Sequence, residues 1–328
     1  MLIGITYDLR EDYLEMGFSE EETAELESIE TIEAIEFVLK KMGYETERIG
    51  SVKNLVSMLA QGIRWDMVFN ISEGINGISR ESQVPALLDA YCIPYTFSDP
   101  LVLSLALHKG MAKSVIRDLG IPTPRFAVIS EIENIYGINL AYPLFVKPVA
   151  EGTSKGIDRT SKVHNAEELE KVCTRLLEKF RQPVLVEEYL SGREFTVGII
   201  GTGRASKITG VMEIIIKGPE KAEEYSYNNK INYMETVEYR TVNGSVGDKC
   251  SETALRVWRG LGCMDGGRVD LKMDSNGIPN FMEVNPLAGL NPAVSDFPIL
   301  SALYGMTYEE LIRSIMKSSL KKLSRRTD

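Results

Sequence analysis

Two carboxylates, an amide and a guanidinium recur at alternating positions in one short stretch of this chain, GRVDLKMDSNGIPNFMEVNP, running from Gly267 to Pro286. Its centre, Asp274-Ser275-Asn276-Gly277, has the composition of a hairpin turn. If 274 faces 277, Arg268 stands across from Glu283, with Asp270 and Asn285 diagonal or next along the same face. The other face collects Val269, Leu271, Met273, Ile278, Met282 and Val284, a core pattern. Two carboxylates and an amide oxygen are hard donors suited to Mg²⁺, which takes few protein groups and completes its shell with phosphate oxygens or water. Arg268 beside them can hold developing negative charge. A solvated strand face with an Arg268–Glu283 ion pair is the plainer alternative. Asn285-Pro286 and the bend at Gly289 directly after it weigh against that.

A second stretch complements the first. Lys147 ends the apolar run Leu144-Phe145-Val146 and leads into Glu151-Gly152-Thr153-Ser154-Lys155-Gly156. Glycines let a backbone approach an anion, while hydroxyls and free N–H groups donate to it and a lysine neutralises it. That describes a loop covering phosphates, although G-x-x-x-x-G-K-[ST] is absent. Taken alone, such a run is an ordinary turn; paired with the hairpin it gains a role. Val184 to Leu190 leaves a strand and turns at Ser191-Gly192, so an adenine could lie there, with Glu194 near ribose hydroxyls. An acidic strand end is the alternative.

These groups need a scaffold. Leu2 to Thr6 and Asp66 to Ile71 read as buried strands, and Thr31 to Met42 and Glu81 to Tyr91 as helices, an order that implies a parallel α/β module ending near Asp99-Pro100. A helix from about Ser104 to Leu119 leads through Gly120-Ile121-Pro122-Thr123-Pro124 into a strand at Arg125 to Ile129. Strands follow at Leu144 to Lys147, Val184 to Glu188, Phe195 to Ile200 and Ile208 to Ile216, with helices at about Ala166 to Lys179 and Cys250 to Leu261. Lys217 to Tyr239 is polar with little periodicity, as lids often are.

With 328 residues and a net charge of −10, the chain predicts a multi-lobed protein whose field repels nucleic acid. Only Lys321, Lys322, Arg325 and Arg326 form a basic patch, and a solvated end explains it. Cys92, Cys173, Cys250 and Cys263 lack metal or disulfide spacing and suit reduced thiols in a cytoplasm. No leader precedes the first strand, and no apolar run approaches the roughly 20 residues that span a bilayer, so no membrane role is expected.

Together these segments resemble the D-alanine:D-alanine ligase family of ATP-grasp enzymes from about Asp66 to Leu311. The matching words are PYTFSDPLVLSLALHKGMAK, FVKPVAEGTSKGI, VLVEEYLSGREFTV, LGCMDGGRVDLKM and FMEVNPLAGL. The resemblance implies an α/β ATP-grasp fold behind a parallel N-terminal domain, with residues 1–100 as that domain, 101–187 as the central lobe and 188–328 as the C-terminal lobe. It implies ATP and magnesium, two ions with manganese able to substitute. Lys109 and Lys147 match the phosphate lysines, Thr153 and Ser154 the loop hydroxyls, and Glu187, Leu190 and Glu194 the adenine and ribose positions. Lys230 matches the lid lysine. Asp270, Glu283 and Asn285 match the metal ligands, and Arg268 with the Gly289 backbone the oxyanion stabilisers. The implied reaction phosphorylates a carboxylate to an acyl phosphate, which an amine then attacks, with release of ADP.

The departures fall on substrate positions. Where the family carries a glutamate- and serine-bearing loop after its first strand, this chain reads Tyr7-Asp8-Leu9-Arg10-Glu11-Asp12, so Glu11 is the acid expected nearby. Glu73 replaces a histidine, Ile231 a lid tyrosine, and Val294 a serine that Ser295 adjoins. An ionised glutamate accepts hydrogen bonds and attracts ammonium groups. Glu73 could instead pair with Arg80. The expected activity is ligation of two amino acids or amino-acid-like molecules, either D-alanine in peptidoglycan synthesis or another pair in a specialised pathway. From another class, an ATP-binding protein without catalysis stays open. A biotin-dependent carboxylase would need a longer chain and a carrier domain. Partners are small amino-acid or peptide substrates, and a homodimer is left open.

Overall fold

A computed structural model describes residues 1–217 and 237–326. The chain opens with strand β1 (Leu2–Thr6), whose interior positions are fully buried. Strand β2 (Glu45–Gly50) and strand β3 (Met67–Asn70) pair with it in parallel, in the order β2-β1-β3. β2 is an edge strand with a mixed ETERIG sequence, so it carries no apolar run by which to find it. Helix α2 (Ile29–Lys41) buries Ile32, Ile35, Val38 and Leu39 at helical spacing against this sheet. Helix α3 (Val52–Ala60) and helix α4 (Gln83–Ala90) share a second cluster with Trp65 and Val68.

Between β1 and α2 the chain makes an excursion carrying helix α1 (Arg10–Glu15). Leu9 bridges Glu27, Arg10 N–H donates to Glu27 O at 3.0 Å, and Glu27 N–H donates to Asp8 O at 3.2 Å. The ends of the excursion are therefore pinned together.

The helix expected from Ser104 to Leu119 is two helices, α5 (Pro100–Leu107) and α6 (Lys109–Asp118). Each has its own cap: Asp99 accepts from Val102 N, and His108 Nδ1 accepts from Met111 N. His108 has ψ of 87°, far from helical, so periodicity continues where the backbone does not. The break puts Lys109 in the first turn of α6, its N–H donating to Val149 O at 3.0 Å.

A second sheet runs in the order β4-β7-β5-β6, from β4 (Phe126–Ile129), β5 (Leu144–Pro148), β6 (Lys162–Val163) and β7 (Val184–Glu188). Helix α7 (Ala166–Phe180) covers it with Leu169, Val172, Cys173 and Leu176. The third sheet, order β10-β9-β8-β11-β12, joins β8 (Glu194–Ile200), β9 (Lys207–Ile216), β10 (Val237–Thr241), β11 (Gly266–Met273) and β12 (Pro279–Asn285). Helix α8 (Gly244–Gly260) packs Cys250, Ala254, Val257 and Trp258 onto its inner face. Beyond helix α9 (Asp296–Leu303), helix α10 (Tyr308–Arg326) returns to the first module, where Ile312, Ile315 and Met316 join the core of Ile32, Ile35 and Leu39. The chain thus closes on its own beginning. All four cysteines are unpaired. Among the described residues no helix is long and apolar enough to cross a membrane.

Candidate active site

The β11–β12 hairpin carries the acidic face, in a different register from the simple turn. Arg268 pairs with Asn285 and Asp270 with Glu283, after which the pairing slips to Leu271 with Phe281. Two causes combine. Asp274 N–H donates to Ile278 O, and the Asp274 side chain accepts from both Asn276 N and Ile278 N, so the turn is one residue longer than the tetrad. Met282 is then the extra residue of a bulge. Phe281 takes the core place, Met282 turns into a cavity, and Ile278 is exposed. Arg268, Asp270, Glu283 and Asn285 still share one face.

Local bonds tie that face together. Arg268 Nη1 donates to Asp270 Oδ2, Thr196 Oγ1 donates to Asp270 Oδ1 at 2.9 Å, and Asn285 Nδ2 lies 3.3 Å from Asp270 Oδ2. The Asn285 amide nitrogen faces the carboxylate, leaving its oxygen for a cation. Burial pushes Asp270 up to about 6; Arg268 opposes this and Glu283 adds to it. Two carboxylates and an amide oxygen on one face are hard donors that fit a divalent cation, with Arg268 and Lys109 beside them. Among the described residues no three His, Cys, Asp or Glu side chains converge to hold a metal alone, which suits an ion whose remaining ligands are phosphate oxygens, an amide and water.

Two adjoining cavities meet at this face. The smaller, about 120 Å³, has Phe145, Ile157, Leu190, Ile214 and Met282 among its lining, walls suited to a planar heterocycle. Lys147, Glu188, Glu194, Thr153 and Ser154 also line it. Glu194 faces Lys272 across paired strands, 3.3 Å from its Nζ. Thr153 and Ser154 have φ of 47° and 57°, consecutive left-handed residues held in the loop after β5. Lys109 Nζ donates to Glu151 O at 2.5 Å and lies 3.5 Å from Glu283 Oε2, linking loop to hairpin.

Glu187 lines the same cavity and is braced by two lysines. Its carboxylate lies fully buried between Lys147 Nζ and Lys113 Nζ, 2.8 Å from each. Burial would raise its pKa, yet the two lysines together bring it down to about 2. Glu187 thus holds two lysines while still standing in the lining of the smaller cavity. Lys113, which carried no signal beyond its place on an amphipathic helix, completes the triad.

The larger cavity, about 690 Å³, runs from Lys109, Arg268 and Glu283 towards the first module. Gly289 and Ser295 line it, as expected. A Cβ at Gly289 would stand 2.9 Å from Ser295 Oγ. Glu73 lines it too, and it does not pair with Arg80, whose Nη2 instead donates to Glu25 Oε2 at 2.6 Å. Glu11 is absent from this wall and exposed on α1, whose Arg10 alone reaches the cavity, paired with Glu20. From the excursion Glu20, Glu25 and Glu27 reach the cavity, the last two in the run Glu25-Leu26-Glu27-Ser28 just before α2. That run bears glutamate and serine, but a search directly after β1 misses it, since residues 7–24 intervene. Lys230 and Ile231, and the lid expected at Lys217 to Tyr239 apart from its two ends, lie outside the described residues.

The family model for the D-ala D-ala ligase C-terminus matches residues 115–317. The chain belongs to the D-alanine–D-alanine ligase family. Among the family's members, the D-alanine–D-alanine ligase of Syntrophotalea carbinolica is 33% identical over 306 residues, covering 90% of this chain and 92% of that one. The uncharacterized protein y4sG of Sinorhizobium fredii is 30% identical over 290 residues, covering 85% and 84%. The crystal structure of D-alanine–D-alanine ligase from Bacillus anthracis with ATP superposes with a TM-score of 0.76 over 99% of each chain at 23% identity, a shared ATP-grasp fold. As a family member the chain is an ATP-dependent, ADP-forming ligase that makes C–N bonds.

Proposed function

We propose that this ligase joins two amino acids or amino-acid-like molecules by activating the first as an acyl phosphate, with ATP in the smaller cavity and the amino acids in the larger. The observation that carries this reading is the shared wall: Lys109, Gly152, Thr153, Arg268 and Glu283 line both cavities. A terminal phosphate leaving the first cavity therefore enters the second.

Phe145, Leu190 and Met282 would flank the adenine, with Glu194 on the ribose. Lys147, locked by Glu187, and Lys109, anchored on Glu151 O, would neutralise the phosphates beneath the Thr153–Ser154 loop. Asp270, Glu283 and Asn285 would hold magnesium, two ions by family likeness with manganese able to replace them, and the metal would supply charge neutralisation to the phosphate oxygens. Arg268 would exchange its Asp270 partner for the tetrahedral oxyanion. The Gly289 N–H makes no hydrogen bond among the described residues and would be the second donor. No protein nucleophile is needed.

Because many relatives carry the name D-alanine–D-alanine ligase, D-alanyl-D-alanine for peptidoglycan is the plain family product. The test is ADP release with Mg²⁺-ATP across a matrix of D- and L-amino acids, followed by mass spectrometry of the product. A product lighter than its two precursors by one water supports the reading. ATP binding without ADP release for any pair would favour a non-catalytic nucleotide-binding protein.

A further inference from the structure

The larger cavity has an excess of negative charge at the end facing the first module. Glu73 and Glu81 both line it, and neither makes a hydrogen bond or ion pair among the described residues. Glu27 adds a third carboxylate, which accepts from Leu290 N at 3.3 Å and has no cation beside it. The nearby positive groups are already committed, Arg10, which also lines the cavity, to Glu20 beside it. Arg80 donates to Glu25 and, at 2.8 Å, to Ala150 O, while Lys155 lies 2.5 Å from Glu151 Oε2 and 3.4 Å from Glu25 Oε2. Lys109 and Arg268 stand on the wall shared with the smaller cavity, engaged with Glu151 O and with Asp270.

Burying carboxylates without counter-charge costs several kcal/mol per ion, so they hold protons until a cation arrives. Glu73 behaves so: burial first, then Glu81 and Glu25, raise it well above the usual carboxylate range. A single α-ammonium can compensate one of these acids. Glu27, Glu73 and Glu81 together call for more positive charge than that.

On the reading that this cavity takes the acid substrate, we infer that this substrate carries a second cation, a side-chain ammonium or guanidinium, received by Glu73 and Glu81. The simple D-alanine of the plain family reaction lacks this group and leaves both carboxylates uncompensated.

Calorimetric titration of the full chain, with magnesium and a non-hydrolysable ATP analogue present, decides the matter. The probes are the D and L forms of lysine and ornithine against their near-isosteric neutral counterparts, norleucine and norvaline. The cationic members are expected to bind at least tenfold more tightly. Glu73→Gln and Glu81→Gln should each remove most of that preference while leaving norleucine and the ATP analogue unaffected. Equal affinities, or a preference that survives both variants, overturns the inference. A parallel ADP-release assay separates the two readings. Release with neutral amino acids alone sinks the second cation and leaves the ligase reading standing, whereas no release with any amino acid sinks both.

Discussion

Lys147 Nζ lies 2.8 Å from Glu187 Oε1, and the other oxygen of that carboxylate lies 2.8 Å from Lys113 Nζ, so a lysine lining the smaller cavity is held by a buried three-member chain. One anion serves two cations. Removing its charge would leave both buried lysines without their carboxylate, Lys113 keeping only Thr123 Oγ1 and Phe281 O. Breaking a buried pair from one side costs about 3–5 kcal/mol. Glu187→Gln should lose stability of that order in urea denaturation and also raise the KM for ATP. A loss under about 1 kcal/mol would show that the triad does not brace the site.

The acidic face of the hairpin predicts a different signature. Asp270→Asn and Glu283→Gln should lower ADP release at saturating substrates by about 10²-fold or more, since each removes a hard ligand for charge developing on phosphate. Their fold should persist, because both residues lie on the cavity face and the core face of Val269, Leu271 and Val284 is untouched. Circular dichroism and thermal melts check the fold; near-normal turnover at ordinary magnesium would remove these residues from the metal site.

Glu25 links the excursion to the phosphate loop. It takes Arg80 at 2.6 Å and accepts from Gly152 N. Burial would raise its pKa, but Arg80 and Lys155 together bring it to about 2. Glu25→Gln should release the loop, raising the KM for ATP about threefold to tenfold and changing kcat less. An unchanged KM for ATP would mean that the loop holds its shape without this tie.

Glu81 sets a pH dependence. Burial, opposed by Arg80 and reinforced by Glu25, pushes it up to about 7. The folded state therefore keeps a proton that the unfolded chain releases near the ordinary value of about 4.3. Its contribution to stability is full below that value and is lost as pH rises towards 7, at most about 1.4 kcal/mol per pH unit. Glu81→Gln abolishes the effect. Relative to the parent, the variant should gain about 2–3 kcal/mol between pH 5 and pH 8 in urea titrations. A difference that stays constant with pH would show that Glu81 is not the titrating group.

The sequence alone determined those parts of the protein that local pattern encodes. The alternation of Arg268, Asp270, Glu283 and Asn285 against Val269, Leu271 and Val284 needs only the two-residue repeat of a strand, so the shared face survived a change of register. The strand ending in Lys147 and the helix covering it were equally legible, because apolar spacing reports burial directly. What tertiary structure decided involves partners distant in the chain. Glu187 became a brace for two lysines because Lys113 arrives beside it from another element. The excursion brings Glu25 and Glu27 to the cavity and leaves Glu11 exposed, because a bridge from Leu9 to Glu27 closes its ends together. Helix α10 gives no hint in its own residues that it completes the first module, since an amphipathic stripe records that a face is buried and not against what. Charge balance is likewise non-local: that Arg80 bonds Glu25 and makes no ion pair with Glu73 or Glu81 is a fact of three-dimensional proximity, which spacing along the chain does not contain.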